Sequence, residues 1–299
     1  MIAPAALVLL GSLTVVFASP RDAGDLHRRD DSDGYFNPSD NGGSMLTQVD
    51  GTYPEGLGEP LNMIISANSD DDVLVDQKSN GGFRAYFTSI GFGSECLGQV
   101  DVLVQRANLG DGNDYANQTS LLRWDYGDAN FGTCKESVNG GNHFRYWVQN
   151  GTDQNSGAYF IAASYEKSAK DSHDIVTNGY NIARDEIVGN ITGSAIDSSS
   201  VSDSSTYSGS TSYNGYTWET SVEYKSGLLT ATSDGINHYQ SVPEDGQPAI
   251  DGLVAVLTVR ITQRGTDSDE DSNGAHPSHA SPVAAGAALL VFGAFALCL

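Results

Sequence analysis

Basic side chains are scarce in this chain. Lys and Arg together number 15 against 38 Asp and Glu, which gives a formal net charge of −23 at pH 7. A surface so rich in carboxylates repels the phosphates of nucleic acids and of anionic lipids. We therefore expect no nucleic-acid partner and no electrostatic attraction to a membrane.

Cysteine is scarce as well, with three residues in the chain. Cys298 lies in a C-terminal segment that we expect to be removed, which leaves Cys96 and Cys134 as the only pair in the mature protein. In an oxidising compartment we expect this pair to form a disulfide bond. Closing a loop of this length removes unfolded-state entropy worth about 4 kcal/mol in the chain-entropy model.

Strong catalytic signatures are also missing. The chain has no Gly-x-Ser-x-Gly elbow, no His-Glu-x-x-His pair and no Walker loop. Asp111-Gly112-Asn113-Asp114 and Asp128-Ala129-Asn130 resemble parts of calcium loops, but neither has the ligand spacing through to a Glu at the twelfth position. We therefore expect no metal and no cofactor.

The N-terminus begins with an uncharged apolar run. Residues 2–18 are apolar or small and end on Val16-Phe17-Ala18, a small-x-small pattern that signal peptidase accepts. The alternative is an N-terminal membrane anchor, but the run is marginal for a bilayer that needs about 20 apolar residues. The pattern predicts a signal peptide over residues 1–18.

The C-terminus has the parts of a GPI addition signal. Residues 282–299 are apolar, no basic flank follows them, and residues 276–282 supply a short polar spacer. The small residues before the spacer predict attachment at Asn273, with Ser272 and Gly274 as open alternatives. Residues 274–299 would be removed on maturation. A tail-anchored helix is the alternative interpretation.

Three sequons follow the Asn-x-Ser/Thr rule without proline. They begin at Asn117, Asn150 and Asn190, whereas Asn37-Pro38-Ser39 is excluded by its proline. In a chain that enters the secretory route, exposed sequons are used. We expect all three asparagines to lie on the surface and to carry N-linked glycans.

Composition divides the chain into one core domain with soft flanks. Residues 19–58 are rich in Asp, Gly, Ser and Asn and predict a disordered leader, in which Arg28-Arg29 is either a Kex-type processing site or an incidental pair. Residues 264–273 form an acidic stalk. The core spans residues 59–263, and its Ser-rich stretch at 196–213 predicts a flexible insertion that is a candidate for O-glycosylation.

Hydrophobic periodicity within the core predicts strands and helices. Helices are expected from Phe83 to a stop at Gly91, and through a stripe from Tyr180 to Ile191 that Asn178 or Asn181 could cap. Strands are expected at 61–65, 143–149, 158–165, 216–224, 228–233 and 253–262, with Asn150 at the tip of a hairpin. The pattern favours a single α+β domain: an antiparallel sheet packed with two or more helices, with disordered flanks.

Several short motifs resemble one known family. In chain order they are Asn62-x-Ile64-Ile65, Ile90-Gly91-Phe92, Asn142-His143-Phe144-Arg145-Tyr146-Trp147, Ala163-x-Tyr165, His173-Asp174, Ala183-Arg184-Asp185 and Asp251-Gly252-x-Val254-Ala255-Val256. Over residues 60–261 the chain resembles the LssY C-terminal domain and is similar to uncharacterised fungal secreted proteins. The resemblance implies a domain and candidate positions but no reaction. The chain also departs from the family pattern, because the family has paired histidines where this chain has His173 followed by Asp174.

These motifs contain the candidate site residues. His143 and Arg145 share one face of their strand because side chains alternate with period two. If His173, Asp174 and Asp185 fold nearby, a histidine base, an orienting carboxylate and an anion-binding arginine would form a hydrolytic site. The alternative is structural: an arginine pairs with Asp185 to tie helix to sheet, and His143 is a hydrogen-bonded histidine at a strand end.

Two functions of different class follow from the sequence. The first is a GPI-anchored, extracellular surface glycoprotein that acts as a non-enzymatic surface or wall interaction module. Its expected partners are the outer leaflet of the plasma membrane, through the anchor, and a cell-wall glycan or a protein ligand. The second is a secreted hydrolase that uses the His/Arg/Asp residues. Convergence of those residues in a concave pocket would favour the hydrolase.

Overall fold

A computed structural model describes residues 32–98, 104–244 and 246–265. The predicted signal peptide, the Arg28-Arg29 pair, nearly all of the acidic stalk, Asn273 and the C-terminal tail lie outside the described residues. The cleavage and anchoring predictions therefore stay predictions.

Ten strands and three helices make up the described domain. The strands are β1 Met63–Ile65, β2 Phe92–Ser94, β3 Arg106–Asn108, β4 Tyr115–Asn117, β5 Ser120–Trp124, β6 Gly141–Asn150, β7 Asn155–Glu166, β8 Thr206–Tyr213, β9 Tyr216–Lys225 and β10 Val254–Gln263. The helices are α1 Phe83–Thr88, α2 Gly132–Asn139 and α3 Gly179–Thr192.

Eight of these strands form one sheet in the order β2-β5-β6-β7-β1-β10-β9-β8. Strands β1 and β10 run parallel, and the other neighbouring pairs are antiparallel. Strands β3 and β4 pair separately. The short strand β1 lies between β7 and β10 and is buried at all three positions, as its unbroken apolar run predicts.

Hydrophobic clusters cover both faces of the central strands. On the first face, α1 and α3 pack on the sheet, and Phe83 of α1 stacks on Tyr159 with ring centroids 4.3 Å apart. On the second face, Ile64 and Phe160 belong to a separate cluster that loops cover. Alternation along each strand therefore divides the core into two layers.

The structure confirms one domain built on a mostly antiparallel sheet. Strand β1, helix α1, the β6–β7 hairpin, helix α3 and strands β9 and β10 lie where periodicity predicts them. Asn150 is exposed where β6 ends at the hairpin loop, and Asn117 and Asn190 are exposed too, so the surface prediction for the sequons is confirmed. The domain consists mainly of sheet, and its three helices are short. Asn178 precedes α3, but its side chain makes no capping bond to the helix backbone.

The prediction of a disordered leader is wrong for residues 32–58. Tyr35 and Met45 are 4% and 3% exposed, and Leu61 donates its backbone N–H to the Met45 carbonyl at 2.8 Å. The side-chain amide of Gln149 donates a hydrogen bond to the Phe36 carbonyl and accepts one from the Phe36 backbone N–H, both at 3.0 Å. A few buried apolar anchors and backbone bonds to the domain therefore order a segment whose composition is polar.

The prediction of a flexible Ser-rich insertion is wrong as well. Thr206 to Tyr213 form strand β8, which pairs with β9 along its whole length. The turn between them is Asn214-Gly215, with φ values of 48° and 77°, as a tight hairpin of the primed type requires. In contrast, residues 228–233 form no strand, only the isolated bridge Thr232↔Ile250.

The disulfide prediction is confirmed. Cys96 bonds Cys134 across a sequence separation of 38 residues. Cys96 follows β2, and Cys134 lies in the first half of α2, so the bond fixes this helix to the edge of the sheet.

Candidate functional site

Charged side chains gather on the second face of the sheet, where β5, β6 and β7 run side by side. The register pairs Arg123 with His143 and His143 with Ser164. Because alternate residues share a face, Arg145 and Glu166 point the same way two residues further along their strands. Strand pairing thus places these five polar side chains on the same face of the sheet.

Helix α2 adds a carboxylate above these strands. Glu136 is 0% exposed, and its Oε2 accepts a hydrogen bond of 2.7 Å from Arg123 Nη1. Arg123 Nε donates to Glu95 Oε2 at 3.1 Å. The guanidinium of Arg123 therefore bridges two carboxylates from separate elements. We call Arg123, Glu136, His143, Arg145, Ser164 and Glu166 the buried polar cluster.

His143 lies at the centre of this cluster and is 1% exposed. Its Nδ1 is 3.5 Å from Glu136 Oε1. On the other side of the ring, Nε2 is 3.2 Å from Ser164 Oγ and 3.3 Å from Arg145 Nη1. Glu166 Oε1 is 3.5 Å from the same nitrogen. The imidazole therefore lies between two carboxylates.

These neighbours change the titration of the ring and of the carboxylate beside it. Burial by itself lowers the pKa of His143, but the charges of Glu166 and Glu136 outweigh it and raise the pKa above its ordinary value. Burial likewise raises the pKa of Glu136, but His143 and Arg123 outweigh it and hold the pKa below its ordinary value. Both pKa shifts favour the charged forms, a protonated His143 and an ionised Glu136.

His173 and Asp174 lie at the edge of the cluster and diverge. His173 Nδ1 is 3.1 Å from Glu166 Oε2, and the His173 side chain is 42% exposed. Asp174 makes its contacts elsewhere, with Lys167, Ser241 and His238 at 2.8, 2.7 and 2.7 Å. The structure therefore brings His143, Arg145 and His173 together and directs the Asp174 carboxylate away from them.

Asp185 belongs to a different site. Arg184 is 0% exposed, and it donates to Asp185 through Nε and Nη2 at 2.7 and 3.0 Å. Tyr224 also donates its hydroxyl to Asp185 at 2.7 Å. Inclusion of Asp185 in the predicted hydrolytic site is therefore wrong, because Asp185 is engaged in an ion pair that ties α3 to the sheet.

Four members of the cluster were not predicted from the sequence. Arg123, Ser164 and Glu166 were detectable in principle, since the strand alternation that groups His143 with Arg145 also places them on one face once the register is known. Glu136 gave no signal, because α2 has no apolar stripe to reveal which side faces the sheet.

The cluster contains the residue types of a nucleophilic catalytic site, but a substrate cannot reach them. Ser164, His143 and Glu136 follow the order of nucleophile, base and orienting carboxylate. Ser164 and His143 are each 1% exposed and lie within paired strands. A substrate carbonyl cannot reach the Ser164 hydroxyl without separating the layers, so this arrangement favours a structural role.

An open groove lies elsewhere, along the second face of β8, β9 and β10. It has a volume of about 460 Å³ and contains none of the buried polar cluster. Lys225 Nζ is 3.6 Å from Asp33 Oδ1 and 3.5 Å from Glu223 Oε2 at its rim. The lining side chains are mostly hydroxylated or charged, among them Ser32, Thr206, Ser208, Ser221, Glu223 and Thr258.

Strand register arranges the hydroxyls of this groove in a row. Ser208 of β8 pairs with Ser221 of β9, and Ser221 pairs with Thr258 of β10. Neighbouring strands are about 4.8 Å apart, so three hydroxyls cross the sheet at that spacing. The groove therefore presents a regular polar surface on a rigid support.

No family of known proteins, no curated protein and no solved structure matches the chain. Within residues 32–98, 104–244 and 246–265, none of the helices has the length and apolar character needed to cross a bilayer.

Proposed function

We propose that the chain is a GPI-anchored extracellular glycoprotein whose domain binds a hydroxyl-rich ligand, a cell-wall glycan, without catalysing a reaction. The observation that supports this proposal is the open groove over β8, β9 and β10 with its row of hydroxyls. The same proposal includes the resemblance to the LssY C-terminal domain. It also includes the α+β fold class, which the packing of α1 and α3 on one face of the sheet supports.

The chemistry of the groove suits a glycan. Each Ser or Thr hydroxyl both donates and accepts hydrogen bonds, as the hydroxyls of a sugar do. Because paired strands fix the positions of Ser208, Ser221 and Thr258, little side-chain freedom is lost on binding. Glu223 and Asp33 add acceptors at the rim. A polysaccharide lying across the strands would find donors and acceptors at a constant spacing.

The hydrolase remains the second candidate because Ser164, His143 and Glu136 stand in the order of a catalytic triad. Their burial makes it the weaker candidate. A hydrolase of this kind would need the covering layer to open before Ser164 could be acylated.

Binding can be tested with soluble protein that lacks the C-terminal signal. Insoluble β-glucan, chitin and mannan are each incubated with wild-type protein, and the bound fraction is measured over a concentration series. We expect saturable binding to at least one polysaccharide. Absence of binding to all three would contradict the proposed ligand class.

Two matched variants locate the binding surface. Ser208 and Ser212 lie on the same strand and face, but only Ser208 lines the groove. Ser208→Phe should fill the groove and weaken binding at least tenfold, whereas Ser212→Phe should bind as wild type does. Equal binding by both variants would place the ligand elsewhere on the domain.

The membrane anchor has its own test. Phosphatidylinositol-specific phospholipase C should release the protein from intact cells, with a host that does not acylate the anchor inositol. Retention of the protein after efficient treatment would contradict anchoring through Asn273. The released protein should lose mass with peptide N-glycosidase, and substituting Asn117, Asn150 or Asn190 by Gln should remove one glycan each.

A further inference from the structure

We propose that His143 is a pH-sensitive latch: its imidazolium holds helix α2 against the sheet, and loss of the proton at alkaline pH releases the second half of the helix. The ring is 1% exposed and lies between carboxylates of two different elements. Glu136 belongs to α2, and Glu166 belongs to β7. The latch does not involve the groove over β8, β9 and β10, so it is independent of the proposed glycan ligand.

The two carboxylates face opposite nitrogens of the ring. Glu136 Oε1 is 3.5 Å from Nδ1, and Glu166 Oε1 is 3.5 Å from Nε2. An imidazolium has an N–H at both nitrogens, whereas a neutral imidazole has an N–H at one of them. Only the protonated ring can therefore present a donor to both carboxylates, and a neutral ring turns a lone pair toward one of them.

The contact between His143 and α2 depends on charge more than on hydrogen bonding. The distance of 3.5 Å between Glu136 Oε1 and His143 Nδ1 exceeds the usual N–H···O range of about 2.7–3.2 Å. Neither atom has a hydrogen-bond partner among the described residues. Because both side chains are buried, solvent screens their attraction little. The attraction is therefore strong while the ring is charged and weak once the ring is neutral.

The charge balance around the ring also favours the proton. Two guanidinium groups and four carboxylates meet there, in the contacts of Arg123 with Glu95 and Glu136, of Arg145 with Glu59, and of His143 with Glu136 and Glu166. The carboxylates therefore outnumber the guanidinium groups by two, and the imidazolium of His143 supplies a third cation. His173 adjoins this set from the solvent side, with Nδ1 3.1 Å from Glu166 Oε2. Loss of the His143 proton leaves a larger buried excess of negative charge, which is unfavourable.

The pKa of His143 gives the direction of the pH dependence. Burial lowers this pKa, and so does the guanidinium of Arg145, whose Nη1 is 3.3 Å from Nε2. Glu166 and Glu136 outweigh both and hold the pKa above its ordinary value of 6.5. The docked helix therefore favours the imidazolium. The resulting stabilisation is complete below the ordinary pKa and disappears as the pH rises through the folded-state value.

Packing contributes little to the position of α2. Its buried residues are Gly132, Thr133 and Glu136, so the helix buries almost no apolar area. The disulfide at Cys134 fixes the first half of the helix. The second half is docked through the buried Glu136 carboxylate, and this half is the part that a neutral His143 releases.

Hydrogen exchange measured by mass spectrometry tests the latch on the wild-type protein. Protection of the α2 amides, corrected for the intrinsic exchange rate, is compared between about pH 6 and about pH 9, with the amides of β6 and β7 as the reference. The population of released helix rises about tenfold for each unit by which docking raises the pKa. We expect the protection of α2 to fall at least threefold while the reference strands stay protected. A smaller fall, or an equal fall in the reference strands, would overturn the proposal.

Matched variants assign the transition to His143. His143→Gln removes the titrating group, so the protection of α2 should no longer depend on pH. Glu166→Gln removes one of the facing carboxylates and should move the transition to lower pH, a shift that a contact with no role in titration would not cause. His238→Gln removes a histidine outside the cluster and should keep the wild-type transition. A transition that persists in His143→Gln, or stays in place in Glu166→Gln, would overturn the assignment. If His143→Gln fails to fold, the wild type and Glu166→Gln decide together.

Discussion

The guanidinium of Arg184 donates to both carboxylate oxygens of Asp251, at 2.8 and 2.7 Å, although 67 residues separate the two in the chain. The same guanidinium binds Asp185 and the carbonyl of Leu253. Arg184 thereby joins helix α3 to the segment that leads into β10. Its side chain is wholly buried, so every one of these bonds replaces a bond to water.

Replacing this arginine should destabilise the domain strongly. Arg184→Ala leaves Asp185, 1% exposed, without its ion-pair partner, and we expect a loss of about 3–5 kcal/mol in the free energy of unfolding. The measurement is urea denaturation, in which the midpoint should fall while the slope stays constant. Arg260→Ala is the control, because its pair with Asp70 is largely exposed and should contribute at most about 1 kcal/mol. Equal losses in the two variants would contradict a structural role specific to Arg184.

Removing the disulfide should also destabilise the domain. The bond closes a loop across 38 residues, which corresponds to about 4 kcal/mol of unfolded-state entropy. The double variant Cys96→Ser/Cys134→Ser should melt at a lower temperature, and peptide mapping without reductant should find the two cysteines joined in the wild type. Two alkylatable thiols in native wild-type protein would contradict this prediction.

Elements with strong local patterns could be predicted from the sequence. The apolar stripe from Tyr180 to Ile191 and the strands around Asn150 depend on residues close together in the chain, so periodicity reveals them. Strand β8 was missed because Ser-rich composition outweighed the Asn214-Gly215 turn, which is a strong hairpin signal.

The candidate site was less predictable because it depends on long-range placement. His143 and Asp185 occur in motifs of the same family resemblance, yet they belong to separate hydrogen-bonded sites. Glu136 joins His143 only because α2 folds back over β5 and β6, and its sequence has no pattern that indicates this. Register and helix placement, which are tertiary facts, decide the composition of the cluster.

The contacts of Asp174 predict that the stability of the domain falls at acidic pH. Burial by itself raises the pKa of Asp174, but Lys167, Ser241 and His238 outweigh it and hold the pKa below the ordinary value of 3.8. The folded state therefore favours the ionised form. The resulting stabilisation is present above the ordinary pKa and disappears as the pH falls through the folded value.

The variant Asp174→Asn measures this stabilisation. Because the carboxylate is 28% exposed, we expect the variant to lose at most about 1 kcal/mol at pH 6. The difference in melting temperature between wild type and variant should narrow as the pH falls below about 4 and vanish once the pH is below the folded-state pKa. A difference that stays constant over this range would show that the charge of Asp174 contributes nothing.

The two histidines of the predicted site should respond differently to substitution. The imidazole of His143 is 1% exposed and lies between Glu136 and Glu166. His143→Ala removes a buried ring and leaves two carboxylates without that partner, so we expect a loss of about 2–3 kcal/mol in the free energy of unfolding. His173→Ala should change stability by no more than about 0.5 kcal/mol, because its side chain is 42% exposed. Chemical denaturation of both variants at pH 7 provides the comparison. Equal tolerance of both substitutions would contradict the structural role of His143, and a stable His143→Ala variant that has lost a hydrolytic activity would favour the hydrolase.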